Sequence, residues 1–164
     1  MRDDGKLDSG FRPGEIVVRD DAIANTQPLL GLFAPDEVRV IRGSRCRTVQ
    51  DLFNEFSAAL QFPLYFGHNW DAFDECMRDL GEWMIGTKTL TIVIVESTEL
   101  LSIDRENGPF DTFARIIQRN VQESAAGRED HGENYQQPIP LAVVLVDSAD
   151  KIVSVAARWR PAMT

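Results

Sequence analysis

The chain has 164 residues, with 17 Lys+Arg against 26 Asp+Glu and a formal net charge of −9 with both His neutral. That length suits one domain, and 43% hydrophobic with 26% charged residues suits a soluble globule and not a disordered chain. Binding to a phosphate backbone depends on Lys and Arg displacing counterions, so this charge argues against direct nucleic-acid binding and against an anionic membrane surface, and favours a basic partner.

Cys46 and Cys76 are too few for a disulfide framework and lie in apolar-periodic surroundings, so both are expected as buried, reduced thiols. The opening MRDDGKLDSG has no apolar stretch of the secretory kind, and no apolar run approaches the ~20 residues that span a bilayer. A cytoplasmic location is expected.

Residues 1–13 are polar and predict a loose tail ahead of a single domain over 14–164. Glu15, Ile16, Val17, Val18 and Arg19 form a short candidate strand. Residues 26–35 set Pro28, Gly31 and Pro35 among leucines, which predicts an irregular segment packed on the domain. Val38, Val40 and Ile41 predict a strand that Gly43 ends. Thr48, with Asp51 three residues on, makes a weak capping box. Behind it Val49, Leu52, Phe53, Phe56, Ala59 and Leu60 recur at helical spacing, and Pro63 marks the end.

Tyr65, Phe66, Gly67 and His68 then form a compact turn, with Gly67 expected at positive φ, and Asn69 is a cap for a helix over 69–81. Its two faces differ sharply. Trp70, Phe73, Cys76, Met77 and Leu80 cluster on one side, while Asp71, Glu75, Arg78 and Glu82 fall opposite, flanked by Asp74 and Asp79. Between Asp71 and Glu82 five acids face Arg78 alone, so a net −4 sits on one short element. Leu90 to Val95 and Leu141 to Val146 are continuous apolar runs, each expected as a strand covered on both faces. Between them Pro109 opens a helix with a stripe of Phe110, Phe113, Ile117 and Val121, followed by a polar loop over 127–137. Residues 151–156 are expected to return as an antiparallel edge strand. The element order implies an α/β fold with a small, mostly parallel sheet.

Chemistry is harder to place. There is no glycine-rich phosphate turn, and neither apolar run opens into one. Nucleophilic catalysis needs a base beside a nucleophile, yet the chain has only His68 and His131, the latter in the polar loop, and Cys76 lies on an apolar face. His68, Asp71, Asp74 and Glu75 could line one side of a helix start as a metal or acid–base site, but three ligands from one helix seldom close a coordination sphere. Recognition fits better. Tyr65 and Phe66 offer aromatic area ahead of a helix whose far side is dense in carboxylates, the composition of a protein-binding patch.

The run FPLYFGHNWDAFDECMRDL resembles the signature of the barstar family, small intracellular inhibitors of bacterial ribonucleases. The likeness lies in the Tyr65-Phe66-Gly67 turn, in Asn69, Asp71 and Ala72 opening a helix, and in Glu75 followed by Cys76; a weaker match extends over roughly 37–146. The resemblance implies a three-stranded parallel sheet flanked by helices, no catalysis, no cofactor and no metal. It also implies a mode of action, in which acidic groups plug the nuclease active site in place of RNA phosphates. Tyr65 matches the contact tyrosine, Gly67 the turn glycine and Asp71 the first acidic contact. Glu75 stands where the family's central contact is usually Asp, and Asp74 where barstar has an aromatic contact. Phe66 and His68 replace other residue types in the turn. A second contact region has no clear counterpart, with Glu99, Asp104 and Glu106 as candidates.

The expected function is therefore a cytoplasmic inhibitor or immunity protein. It would bind a basic ribonuclease one-to-one through Tyr65, Gly67, His68, Asp71, Asp74 and Glu75. The alternatives are a non-inhibitory regulatory module that binds another basic protein and, third, a carboxylate- or metal-dependent enzyme.

Overall fold

Leu90–Val95 and Leu141–Val146 are six-residue runs in which every residue is buried. They form the centre of a four-stranded sheet in the computed structural model, which describes residues 11–20, 26–104, 106–127 and 138–162. The strands β1 (Ile16–Arg19), β2 (Val38–Arg42), β3 (Leu90–Val95) and β4 (Leu141–Val146) lie in the order β1-β4-β3-β2, all parallel. In register, Arg39, Ile92, Val143 and Ile16 stand side by side across the sheet. The expected three-stranded parallel sheet is present, and the short N-terminal run adds a fourth strand beside β4.

Parallel neighbours need crossovers, and helices supply them. Between β2 and β3 run α2 (Val49–Leu60) and α3 (Trp70–Arg78); between β3 and β4 runs α4 (Pro109–Ala126). The period-two alternation of a strand then divides the core in two. Leu90, Ile92, Ile94, Leu141, Val143 and Leu145 face the helices, whereas Val93, Val95, Val144 and Val146 face the other way. That second face has its own cover. The chain leaves β1 at one edge and enters β2 at the opposite edge, so it must cross the sheet. On the way α1 (Thr26–Leu30) sets Leu29 into the apolar face, and Leu30, Leu32 and Phe33 pack around it. The segment expected to be irregular thus holds one short helical turn. Phe11 stacks on Phe33 at 5.8 Å and lies under the Arg19 guanidinium at 5.5 Å.

Local signals act as expected in α2. Thr48 Oγ1 accepts from the Asp51 N–H at 3.1 Å, and Leu52, Phe53, Phe56 and Leu60 are buried. The helix stops where Gln61 takes a left-handed φ of 53°, two residues before Pro63. In α4 all four predicted stripe residues are buried. The loop at 128–137, with His131, lies outside the described residues.

The expected antiparallel strand over 151–156 is a helix instead, α5 (Ile152–Trp159). Its β-branched residues suit a strand, but burial decides. Val155 and Trp159, four residues apart, are both buried, with Ile152 packed beside them, and helical spacing alone puts them on one face. The Trp159 ring meets Phe110 at 5.3 Å and Phe113 at 5.8 Å, while the Arg158 guanidinium lies 3.6 Å over Phe110.

Gly43 closes β2 for a steric reason. A Cβ there would stand 2.1 Å from the backbone oxygen of Glu96, at the end of β3, with no flexible side chain to move aside. Gly43→Ala is therefore expected to force the ends of β2 and β3 apart and to lower stability by about 3 kcal/mol or more. The shift of the urea midpoint measures it.

Candidate protein-binding surface

The approach to α3 is a turn held from beneath. Phe62 and Phe66 are both buried and meet edge-to-face at 5.1 Å, and the Phe66 N–H donates to Pro63 O at 2.9 Å. Trp83 packs on Phe62 at 6.2 Å and donates its indole N–H to Leu60 O at 3.1 Å, which fixes the end of α2 behind the turn. Between the two phenylalanines the chain has only one way to point Leu64 and Tyr65, and that is outward: they are 107% and 76% exposed.

His68, and not Gly67, takes the left-handed conformation, with φ of 48°. The expectation of positive φ at Gly67 is thus corrected. Space is tight there instead, since a Cβ would stand 3.0 Å from Asn69 Nδ2 and the cap side chain would have to give way. The His68 ring tilts onto Phe66 at 4.6 Å and its Nδ1 lies 3.1 Å from Phe66 O, so Nδ1 carries the proton and donates. Asn69 caps α3 as its type and position predict. Its Oδ1 accepts from the Ala72 N–H at 2.9 Å, and its Nδ2 donates to Gly67 O at 3.3 Å.

Helix α3 is shorter than the predicted 69–81, ending at Arg78 ahead of a single 3-10 turn over Leu80–Glu82. Phe73, Cys76, Met77 and Leu80 are buried and Trp70 packs half-buried on the core. Phe73 joins the three helices, meeting Phe56 of α2 at 5.3 Å and Phe113 of α4 at 6.1 Å.

The acidic residues on the other side divide. Asp71 and Glu75, one turn apart, are exposed, and among the described residues neither forms a salt bridge. Asp74 turns inward to α4, with its side chain only 14% exposed. It accepts from Arg78 Nη2 at 3.0 Å, from Asn120 Nδ2 at 2.9 Å and from Arg119 Nη2. Asn120 is buried and also donates to Ile116 O at 2.9 Å, so the acceptor side of Asp74 is anchored in α4. Burial alone would raise the Asp74 pKa, but the hydrogen bonds from Arg119 and Asn120 and the two guanidinium charges outweigh it and hold the carboxyl below its ordinary value. Asp74 is thus held within the fold, unlike Asp71 and Glu75. Tyr65 stands among the free carboxylates. Desolvation, together with the field of Cys76, Glu82, Glu75 and Asp79, raises its phenol above the ordinary value.

Two of the three candidates for a second contact region, Glu99 and Asp104, are tied down within the molecule. Arg47 Nε pairs with Glu99 at 3.4 Å, and Asp104 Oδ2 accepts from the Val49 N–H at 2.7 Å, capping α2. Glu106 is exposed. Burial pushes the Cys46 thiol up to about 12 and the Cys76 thiol up to about 11, with nearby carboxylates adding to both. Among the described residues no three His, Cys, Asp or Glu side chains gather as a metal-holding group, and His68, Asp71, Asp74 and Glu75 do not converge. No helix among them is long and apolar enough to cross a membrane.

The family model described as Barstar (barnase inhibitor) matches residues 37–145, well over half of the chain. The chain belongs to the barstar family. No curated protein matches it. The barstar match takes in β2, α2, α3, β3 and α4 and reaches into β4, while β1, α1 and α5 lie outside it. This chain therefore carries an extra edge strand, a cover for the second sheet face and a C-terminal helix around its barstar core.

Sequence reasoning identified the turn and the helix but missed three residues of this surface. Leu64 carried a usable signal, being a large apolar residue off every periodic stripe. Arg119 and Asn120 carried none, because their role depends on contact with a residue 45 or 46 positions away.

Two outcomes follow from this geometry. Neither thiol should react with Ellman's reagent in the native protein, and both should react in denaturant. Asp74→Ala leaves Arg119 and buried Asn120 without their acceptor and should destabilise the fold by about 1–3 kcal/mol. Because the folded pKa of Asp74 is depressed, its contribution is complete above its unfolded value, about 3.9, and fades as the pH falls through the folded value. Urea melts from neutral to acid pH should show the parent losing more stability in acid than Asp74→Asn does.

Proposed function

We propose that this barstar-family protein is an intracellular inhibitor that binds a basic ribonuclease of the barnase kind one-to-one and closes its active site. The observation that carries this is the pair of exposed carboxylates of Asp71 and Glu75, one turn apart on the helix that follows the outward Tyr65, neither in a salt bridge among the described residues. A ribonuclease concentrates Lys, Arg and His where RNA phosphates sit. Two carboxylates on a rigid helix can occupy those cationic places without being cleaved.

Each group has a role in that contact. Tyr65 supplies the area that excludes water, and Asp71 and Glu75 supply charge. Exposed ion pairs contribute only ~0.2–1 kcal/mol, so the carboxylates must be desolvated by the partner to matter. Glu75 is a methylene longer than the usual aspartate and carries its charge further from the helix, which suits a cation set deeper in a cleft. Gly67 and His68 shape the turn that presents Tyr65. Asp74 braces α3 from within and is not itself a contact. Inhibition of this kind needs no bond-making step, cofactor or metal.

The full chain is expected to inhibit barnase at low salt, with the association rate falling steeply as salt rises. Asp71→Ala should weaken inhibition about tenfold or more while lowering the thermal midpoint only slightly, since Asp71 is exposed and unbridged and contributes to the fold only through its place in the first turn of α3. Tight binding that left the nuclease active would point instead to a regulatory module. No binding to barnase at low salt would remove the inhibitor function.

A further inference from the structure

Leu64 is the most exposed large apolar side chain among the described residues. Isolated exposed leucines are ordinary features of protein surfaces, but three observations set this one apart. Its neighbour Tyr65 is exposed as well, so the two form one apolar projection. The turn that carries them cannot fold back over them, because Phe62 and Phe66 are buried on either side and the Phe66 N–H is bonded to Pro63 O. The projection also adjoins the free carboxylates, and Glu75, Asp79 and Glu82 all act on the Tyr65 phenol.

We propose, resting on the inhibitor reading above, that Leu64 is a second anchor of the same interface and enters an apolar recess bordering the cationic cleft of the ribonuclease. Such a recess has a chemical origin. RNA carries a flat base beside each phosphate, and proteins that hold single-stranded RNA stack those bases on aromatic or guanidinium planes. A nuclease cleft therefore offers cations and an apolar wall side by side. Asp71 and Glu75 match the cations, and Leu64, held stiffly next to Tyr65, matches the wall. A rigid turn suits this use, since little side-chain and loop freedom is left to lose on binding.

Hydrophobic and ionic contacts respond differently to salt, and that separates the two claims. Barnase is the probe, presented to the full chain and to Leu64→Ser, Leu64→Met and Asp71→Ala at low and at high salt, with association and dissociation followed separately. Leu64→Ser should melt at the parent temperature and bind about tenfold more weakly, through faster dissociation. The factor should be the same at both salt concentrations, and Leu64→Met should restore most of the affinity. The loss caused by Asp71→Ala should shrink as salt rises. Parental affinity in Leu64→Ser, with Asp71→Ala still weakened, would overturn the anchor and leave the inhibitor reading standing. Failure of the parent chain itself to bind barnase would remove both.

Discussion

Parallel strands with apolar side chains on both faces cannot leave either face in water. In β3 and β4 alternate residues point to opposite sides, so this chain must provide two covers. One is the helical layer, in which α2 and α4 lie on the strands and α3 leans on both through Phe73. The other is the N-terminal crossing with Leu29, Leu32 and Phe33. The position of α3 follows from this division. It is a helix with one side to the aromatic cluster and the other, which carries Asp71 and Glu75, to solvent.

Exposed carboxylates one turn apart repel one another and gain little from the fold beyond the place of Asp71 in the first turn of α3, whereas Asp74 gains a great deal. Four of the five acids between Asp71 and Glu82 are left without a salt bridge among the described residues, and the fifth is held by two arginines and a buried asparagine. Braced and unbraced carboxylates are thus separated along one helix by direction alone. Asp74 fixes the helix axis against α4, and Asp71 and Glu75 are carried on that fixed axis. Had Asp74 also pointed outward, α3 would bear more charge with less to hold it in place. At that position this chain has a brace between α3 and α4.

Much of this was legible in the sequence wherever local chemistry decided the outcome. Thr48 and Asn69 are caps because a short polar side chain ahead of an apolar stripe satisfies free N–H groups, and both do so. The strands β3 and β4 and the buried faces of α2, α3 and α4 followed from periodicity. What was not legible depended on distant partners. Nothing near Asp74 announces Arg119 and Asn120, so a free carboxylate and a braced one look alike in sequence. Residues 152–159 hold β-branched side chains that suit a strand, and only the packing of Ile152, Val155 and Trp159 together on the core, with Trp159 against Phe110 and Phe113, requires helical spacing. At Gly67 the residue type was informative but its reason was not, because the cap side chain of Asn69 crowds the space a Cβ would need.

The parts outside the family match also bear on binding. A contact that relies on few residues must hold them still, because each flexible side chain ordered at an interface costs about 0.5–1.5 kcal/mol. Here α3 rests on α4, α4 rests on β4 and on Trp159 of α5, and β4 is buttressed at its free edge by β1. The second sheet face, sealed by the N-terminal crossing, keeps β3 and β4 from shifting under that stack. The barstar core supplies the acidic helix and the turn. The added strand, crossing and helix pack on the sheet and on α4 beneath them, and on the proposed reading that support is what lets an exposed leucine, a tyrosine and two carboxylates meet a partner together.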